Sequence, residues 1–529
     1  MAVARHHELN VRSVIDERSA AFHAIGMSEA SGKPTALICT SGTALLNYAP
    51  AVAEAYYKQI PLIVISADRP QAWIDQNDSQ TMHQPNALLP YVKRSFAFKG
   101  EADNAEEQWF VNRTINEALT LAATSPQGPI HINIALSEPL TREVNLPVNQ
   151  FRHITSTEPN PEPTSEALQQ LVDKAAGQQL LIVAGYCRPH QAISDAISQL
   201  TQLPNVAVVA EGLANLHDKN VISLTDRLVT AINHDETLKP KIVLTFGGAL
   251  VTGTFKRYMR THPEIEQWYV GCHGNIVDCY MNLTQRINLE PQHFLPNFIK
   301  GLEAHQQGAT GNAMQFNSLW QQAALKVYSE TDSAIENAEW NALTAVHHLL
   351  KAMPAQWNLQ LSNGMSVRYA LTADLQKFSR IECNRGVSGI DGSVSTAVGA
   401  AMQMPTLLIT GDMSMQYDIA ALSSLYIDGK LRIAVINNGG GGIFRYISTT
   451  SSLPETPQLI NGQLRLPLKQ LAEAYNCQYV AAHNYAELAQ AMEVVANSKQ
   501  SNAVILEIIT DSDIDAKIMH NYNNYKHSN

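Results

Sequence analysis

The stretches PTLLITGDMS (405–414) and LRIAVINNGGGG (431–442) decide how this chain folds. Each is an apolar run, rich in branched side chains, that stops abruptly at small polar residues, as expected of a strand buried on both faces of a parallel sheet. Neighbouring parallel strands deliver their ends to one edge, where open α/β sheets receive ligands. Asp412, after Gly411 on the first run, and Asn438, at the end of the second, are therefore expected to converge. A carboxylate and an amide oxygen are hard donors suited to Mg²⁺, which tends to keep phosphate oxygens in its remaining positions. The glycines at 439–442 tolerate backbone conformations closed to other residues, so they are expected to let a diphosphate approach and to offer a carbonyl ligand. A helix expected from about Ser414 would add its N-terminal dipole. No Gly-Lys-Ser/Thr follows these glycines, and GGGGIF lacks the final glycine of a dinucleotide fingerprint.

Working outward, WNLQLSNG, SRIECNRG and AVILEII (503–509) read as further strands of the same unit. Upstream, LLIVAG (180–185), VAVVA (206–210), IVLTF (242–246) and WYVG (268–271) alternate with helical patterns and predict a second open sheet. A first unit is read from VRSVI (11–15), TALIC (35–39), PLIVIS (61–66) and PIHINIAL (129–136). Helical patterns separate them at 16–32, through NYAPAVAEAYY and around EEQWFVNRTINEAL. Strands spaced by helices predict parallel sheets covered on both faces. The Pro-rich segment STEPNPEPTSE (156–166) and the polar segment HQQGATGNAMQ (305–315) read as linkers. The expected architecture is α/β, with three open parallel sheets in units spanning 1–155, 166–305 and 316–529 that need not be copies of one another.

The bulk properties narrow the function. At 529 residues the chain is long enough for several domains. Charged residues make up 16%, well below the average of about 25%, which predicts a compact and oligomeric protein. With 37 Lys+Arg against 48 Asp+Glu, the net charge of −11 argues against a nucleic-acid partner. No apolar run approaches a membrane span and MAVARHHELN lacks a signal peptide's apolar core, so the cytoplasm is the expected address. Cys39, Cys187, Cys272, Cys279, Cys383 and Cys477 lack zinc-site spacing, and are expected to be buried thiols.

Gly411-Asp412 and Asn437-Asn438-Gly, joined at this spacing, resemble the diphosphate-binding motif of thiamine-diphosphate (ThDP) enzymes. Such a site needs a glutamate that pushes the cofactor's aminopyrimidine to its imino form, and Glu17 stands at the expected place, at the start of a helix after VRSVI. The runs DERSAAF, CTSGTALLNYAPAVAEA, PLIVISADRP, GPIHINIALSEPL, NRGVSGIDGSVSTAVG and GDMSMQYD narrow the resemblance. They resemble the MenD family, the 2-succinyl-5-enolpyruvyl-6-hydroxy-3-cyclohexene-1-carboxylate (SEPHCHC) synthases of menaquinone biosynthesis. The similarity runs from about residue 11 to about 510 and is faint in the middle unit.

That resemblance implies the three-domain ThDP fold, with a pyrimidine-binding unit, a central Rossmann-like unit and a diphosphate-binding unit. It implies a transferase that decarboxylates 2-oxoglutarate and adds the remaining four-carbon unit to isochorismate. The cofactors implied are ThDP and Mg²⁺ (or Mn²⁺), in a homodimer or a dimer of dimers. Carried over residue by residue, Glu17 activates the cofactor, Asp412, Asn438 and the Gly440 carbonyl hold the metal, and Ile390 props the cofactor in its bent form. Gly411 and Ile443 line the cofactor, while Arg368, Arg385, Gln80 and Phe444 line the substrates, whose two carboxylates suit arginine forks. The family has a strand, a helix and a Pro-Gly-Ser-Arg run before the glutamate, and this chain is expected to lack that element, only sixteen residues preceding Glu17. Ser79 stands where Asn is usual and Gly364 where Ser is frequent, and Lys256 and Arg257 are shifted from the family's middle-unit basic pair, so no role is carried to them. Two alternatives stand beside this reading: another ThDP-dependent 2-oxo-acid decarboxylase or carboligase, and a non-catalytic ThDP-fold subunit.

Overall fold

Sixteen strands form three sheets, every pairing parallel, in the computed structural model, which describes residues 9–137, 151–157, 161–272, 274–305, 312–460 and 466–523. The first sheet has the order β1-β2-β4-β3, from β1 (Thr35–Cys39), β2 (Leu62–Asp68), β3 (Ser95–Lys99) and β4 (Ile130–Ala135). The middle sheet runs β10-β9-β8-β5-β6-β7. Its strands are β5 (Leu180–Ala184), β6 (Val206–Ala210), β7 (Ile222–Ser223), β8 (Ile242–Phe246), β9 (Glu266–Val270) and β10 (Leu283–Ile287). The third runs β12-β11-β13-β14-β16-β15. Its strands are β11 (Asn358–Leu361), β12 (Arg380–Cys383), β13 (Thr406–Gly411), β14 (Leu431–Asn437), β15 (Gln478–Ala482) and β16 (Val504–Ile509).

The continuous apolar runs became the central strands because helices cover both of their faces: β5, β6 and β8 are buried along their whole length. The first sheet departs from the expectation of two covered faces. β2 alternates buried and half-buried residues, and Ile38 on β1 is 58% exposed.

VRSVI is not a strand. Residues 11–14 are irregular and unpaired, and Ser13 N–H donates instead to the Tyr426 hydroxyl at 2.8 Å. The helix that follows is as expected. Helix α1 (Glu17–Ser31) is capped by Asp16, whose side chain accepts from Ser19 N–H at 2.8 Å, and it ends at Gly32 in the left-handed region. The helices that bear on the site are α1, α2 (Ala49–Tyr57), α3 (Ser393–Ala401), α4 (Asp412–Tyr417) and α5 (Gly442–Tyr446). A helix over Ser165–Ala175 begins inside the segment read as the first linker, and residues 306–311 of the second lie outside the described residues. The burial expected of the thiols holds for Cys39, Cys383 and Cys477. Cys187 and Cys272 are half-buried, and Cys279 is exposed. All six are free, and among the described residues no helix is long and apolar enough to cross a membrane.

Helix α1 crosses α3 at backbone contact. A Cβ on Gly26 would lie 1.9 Å from the Thr396 carbonyl oxygen, and one on Gly399 2.0 Å from that of His23. This crossing seats the first unit against the third, which carries the convergent strand ends.

Candidate active site

In the third sheet β11 leads to β12 on one side and to β13 on the other, so the chain reverses its direction of travel between β11 and β13. Such a switch point opens a crevice at the carboxyl ends of the strands. Gly364 and Arg368 follow β11, Asp412 follows β13, and Asn438 follows β14. The pairing of Gly411 with Ile436 brings the last two together.

Asp412 is buried, and burial pushes its carboxyl above the usual aspartate range. Hydrogen bonds from the amides of Gly440, Met413, Gly439 and Asn438 oppose that shift. One carboxylate oxygen accepts from Met413 N–H at 2.7 Å, and the other from Gly439 and Gly440 N–H at 2.9 and 2.8 Å. The turn requires φ of +84° at Gly439 and +121° at Gly440, which only glycine adopts without strain. The amides of Gly439 and Gly440 are thus engaged by Asp412. Helix α4 starts at Asp412 itself, two residues before the expected start.

Asn438 Nδ2 donates to Asp515 Oδ2 at 2.9 Å, and Asp515 also accepts from Ala342 N–H at 2.7 Å and from the Thr510 hydroxyl at 2.7 Å. Spending the amide nitrogen on Asp515 leaves the Asn438 amide oxygen as the donor for a cation. Among the described residues no group of three or more His, Cys, Asp or Glu side chains is placed to hold a metal. Asp412, the Asn438 amide oxygen and a glycine carbonyl are hard oxygen donors, a set of the kind suited to Mg²⁺ or Mn²⁺.

Beside this turn, Arg368 lies on the helix Met365–Ala370 and Arg385 follows β12. Burial, and next the neighbouring Arg385 guanidinium, hold the Arg368 guanidinium below its ordinary range. Arg385 Nη1 donates to Asn363 Oδ1 at 3.0 Å, while its Nε is buried without a partner. Two guanidinium groups within electrostatic reach of one another, one with an unspent buried N–H, are the kind of arrangement that favours an anion. Asn363 also donates to the carbonyls of Asn384 and Gly389, at 2.6 Å each, joining the end of β11 to the loop that holds Arg385 and Ile390. The Ile390 carbonyl accepts from Ser414 Oγ at 2.6 Å, which sets the Ile390 loop against α4. Ile443 and Phe444 are half-buried on α5, with the Phe444 ring against Gly441.

Glu17 and Gln80 stay on the first unit. Glu17 is half-buried at the first position of α1, within electrostatic reach of Cys39 and Tyr48. Gln80 is exposed, with φ of +55°, beside Gly42 of the CTSGTA run. Sequence reasoning missed Asn363 and Asp515, which hold other site residues and carry no local signal. It also left Arg257 without a role, and the fold brings Arg257 within electrostatic reach of Tyr446, itself a neighbour of Arg368.

Comparison with known proteins agrees with this geometry. Residues 1–87 match the family model of the thiamine pyrophosphate enzyme N-terminal TPP binding domain, and residues 364–508 that of the C-terminal TPP binding domain. The chain is 37% identical over 523 residues to the SEPHCHC synthase of Cytophaga hutchinsonii, covering 97% of this chain and 91% of that one. It is 34% identical over 517 residues to the synthase of Porphyromonas gingivalis, covering 97% and 89%. The chain belongs to the SEPHCHC synthase family. The synthase of Bacteroides thetaiotaomicron, 33% identical over 535 residues, covers 98% of this chain and 92% of its own length. Members of this family are ThDP-dependent transferases of menaquinone biosynthesis, and the chain's enzymatic reading stands over both alternatives.

Proposed function

We propose that the third-sheet crevice binds the diphosphate end of ThDP through a divalent cation, held by Asp412, the Asn438 amide oxygen and the Gly440 carbonyl, with Gly411 and Ile443 lining it. In this reading the chain makes SEPHCHC from 2-oxoglutarate and isochorismate. ThDP, when bound, supplies the electron sink for the charge left as CO₂ departs. The remaining work falls to residues of this chain. Glu17 would exchange a proton with ring nitrogen 1′ of the cofactor, and Ile390 would prop the cofactor in its bent form. Arg368 and Arg385 bind substrate carboxylates, orienting the four-carbon unit toward its acceptor, and Gln80 and Phe444 line the same pocket. Burial strengthens these charge-assisted contacts, since the effective dielectric there is far below that of water.

The observation that carries this reading is that two arginines, Arg368 after β11 and Arg385 after β12, the latter with an unpartnered buried Nε, lie at the same sheet edge as Asp412 and Asn438. The three units are proposed to have the limits 1–155, 166–305 and 316–529. Two copies pair in this reading, the glutamate-bearing unit of one against the diphosphate-bearing unit of the other, as a dimer or a dimer of dimers in the cytoplasm. The test is a product assay by mass spectrometry with ThDP, Mg²⁺, 2-oxoglutarate and isochorismate. Formation of the adduct with loss of CO₂ supports the reading. Turnover of pyruvate with none of 2-oxoglutarate overturns it.

A further inference from the structure

The loop that holds Arg385 is gripped from outside its own unit. Glu54, on α2 of the first unit, is 1% exposed and spends both carboxylate oxygens on it, Oε1 accepting from Gly386 N–H at 2.7 Å and Oε2 from Val387 N–H at 2.8 Å. One turn further along, Lys58 caps α2 and its ammonium group bonds Glu29 and, at 3.2 Å, Glu382 Oε2 on β12. Positions 54 and 58 share one helix face, so a single face of α2 holds the chain at 382 and at 386–387, on either side of Arg385. The approach is close: a Cβ on Gly386 would lie 2.5 Å from the Glu54 carbonyl oxygen. Glu54, Lys58, Glu29 and Glu382 are buried, while Gly386 is half-buried and Val387 exposed, and breaking a charged hydrogen bond to a buried group costs more than at the surface.

We propose that Glu54 is a positioning residue, which sets the direction of the Arg385 guanidinium by holding the Gly386 and Val387 amides, with the Lys58–Glu382 pair as the second anchor. The proposal rests on the reading of Arg385 as a carboxylate-binding residue. Glu54 touches no substrate. Its effect passes through one peptide loop, so the first unit shapes the substrate pocket of the third.

The experiment uses the full chain with ThDP and Mg²⁺ and compares Glu54→Gln, Gly386→Ala, Arg385→Ala and the Glu54→Gln/Arg385→Ala double variant. Glutamine keeps only one of the two acceptor oxygens, so one of the two bonds as placed is lost. Glu54→Gln is therefore expected to raise KM for a carboxylate substrate about fivefold or more, with kcat changing less than KM. Without substrate, amide hydrogen exchange at Gly386 and Val387 is expected to quicken about tenfold or more. In the Arg385→Ala background the added rise in KM should vanish. Gly386→Ala displaces the same loop from the other side and should reproduce the KM effect even if Glu54→Gln does not fold. Unchanged exchange at 386–387 in Glu54→Gln overturns the proposal, as does a full additive KM effect in the double variant. If Arg385→Ala raises KM and neither loop variant does, the positioning proposal alone falls. If Arg385→Ala leaves both substrates' KM unchanged, the substrate reading of Arg385 falls, and the positioning proposal with it.

Discussion

The middle and third sheets are two versions of one architecture with different contents at the same place. Each has six parallel strands and a switch point, between β5 and β8 in the middle sheet and between β11 and β13 in the third. Each should offer a crevice at the carboxyl ends of its strands. In the middle sheet the crevice is a cavity of about 460 Å³, lined by Tyr186 and Arg188 after β5, Gly247 and Gly248 after β8, and Tyr269 on β9. Its backbones pack tightly, since a Cβ on Gly185 would lie 1.9 Å from the Gly248 carbonyl oxygen. Its Arg188 is occupied, donating to Gln127 Oε1 and to the Gln59 carbonyl at 2.6 Å each. In the third sheet the strand ends carry Asp412 and Asn438, and the nearby Arg385 keeps an unspent N–H. The fold supplies the opening, and the residues at the strand ends determine whether it has chemistry to perform.

Asp412→Ala should break this contrast most severely. Losing a direct metal ligand is expected to weaken Mg²⁺-dependent ThDP binding by more than about 100-fold in calorimetry; affinity retained within a few-fold would remove Asp412 from the metal site. Glu17→Gln should leave ThDP affinity nearly intact and slow proton exchange at thiazolium carbon 2, followed by NMR, by about 100-fold or more. Arg385→Ala should raise KM for a carboxylate substrate by about 10- to 100-fold, the range of a charge-assisted hydrogen bond.

A smaller effect concerns the α1–α3 crossing that seats the first unit on the third. Burial pushes His23 down to about 4 from its ordinary 6.5, and both of its ring nitrogens lack partners. Its folded-state value is depressed, so the stability its neutral form supplies is complete above pH 6.5 and is lost as pH falls through about 4. His23→Phe should flatten that limb of the urea-midpoint profile, by at most about 3 kcal/mol across the window. The smallest effect belongs to the middle sheet. Arg188→Ala should leave ThDP affinity within about twofold in the calorimetry used for Asp412→Ala, because its guanidinium bonds Gln127 and Gln59 and lies in the middle-sheet crevice.

The strands legible in the sequence were those with a continuous apolar run, whether buried along their whole length, as β6 and β8 are, or on one face, as β1 is. VAVVA and IVLTF match β6 and β8 residue for residue. The strands that went unread were the sheet-edge β3, β7, β10 and β15. β10 (LTQRI) and β15 (QYVAA) each bury only the last residue, and β10 presents no apolar run. VRSVI failed in the opposite sense, since its alternating pattern found no neighbouring strand to pair with. The site divides in the same way. Asp412 and Asn438 were legible because each ends a recognisable strand. Glu54 and Asp515 were not, because Glu54 acts on amides more than 300 positions away and Asp515 on a side chain 77 positions back.

By itself the sequence determined which segments must be buried and which ligating residues terminate them, because hydrophobic runs and turn-forming residues act locally along the chain. Only the tertiary structure decided which amides surround Asp412, which way the Asn438 amide points and what holds the Arg385 loop. Those outcomes depend on groups brought together from distant positions, and desolvation at their meeting point sets what each of them costs.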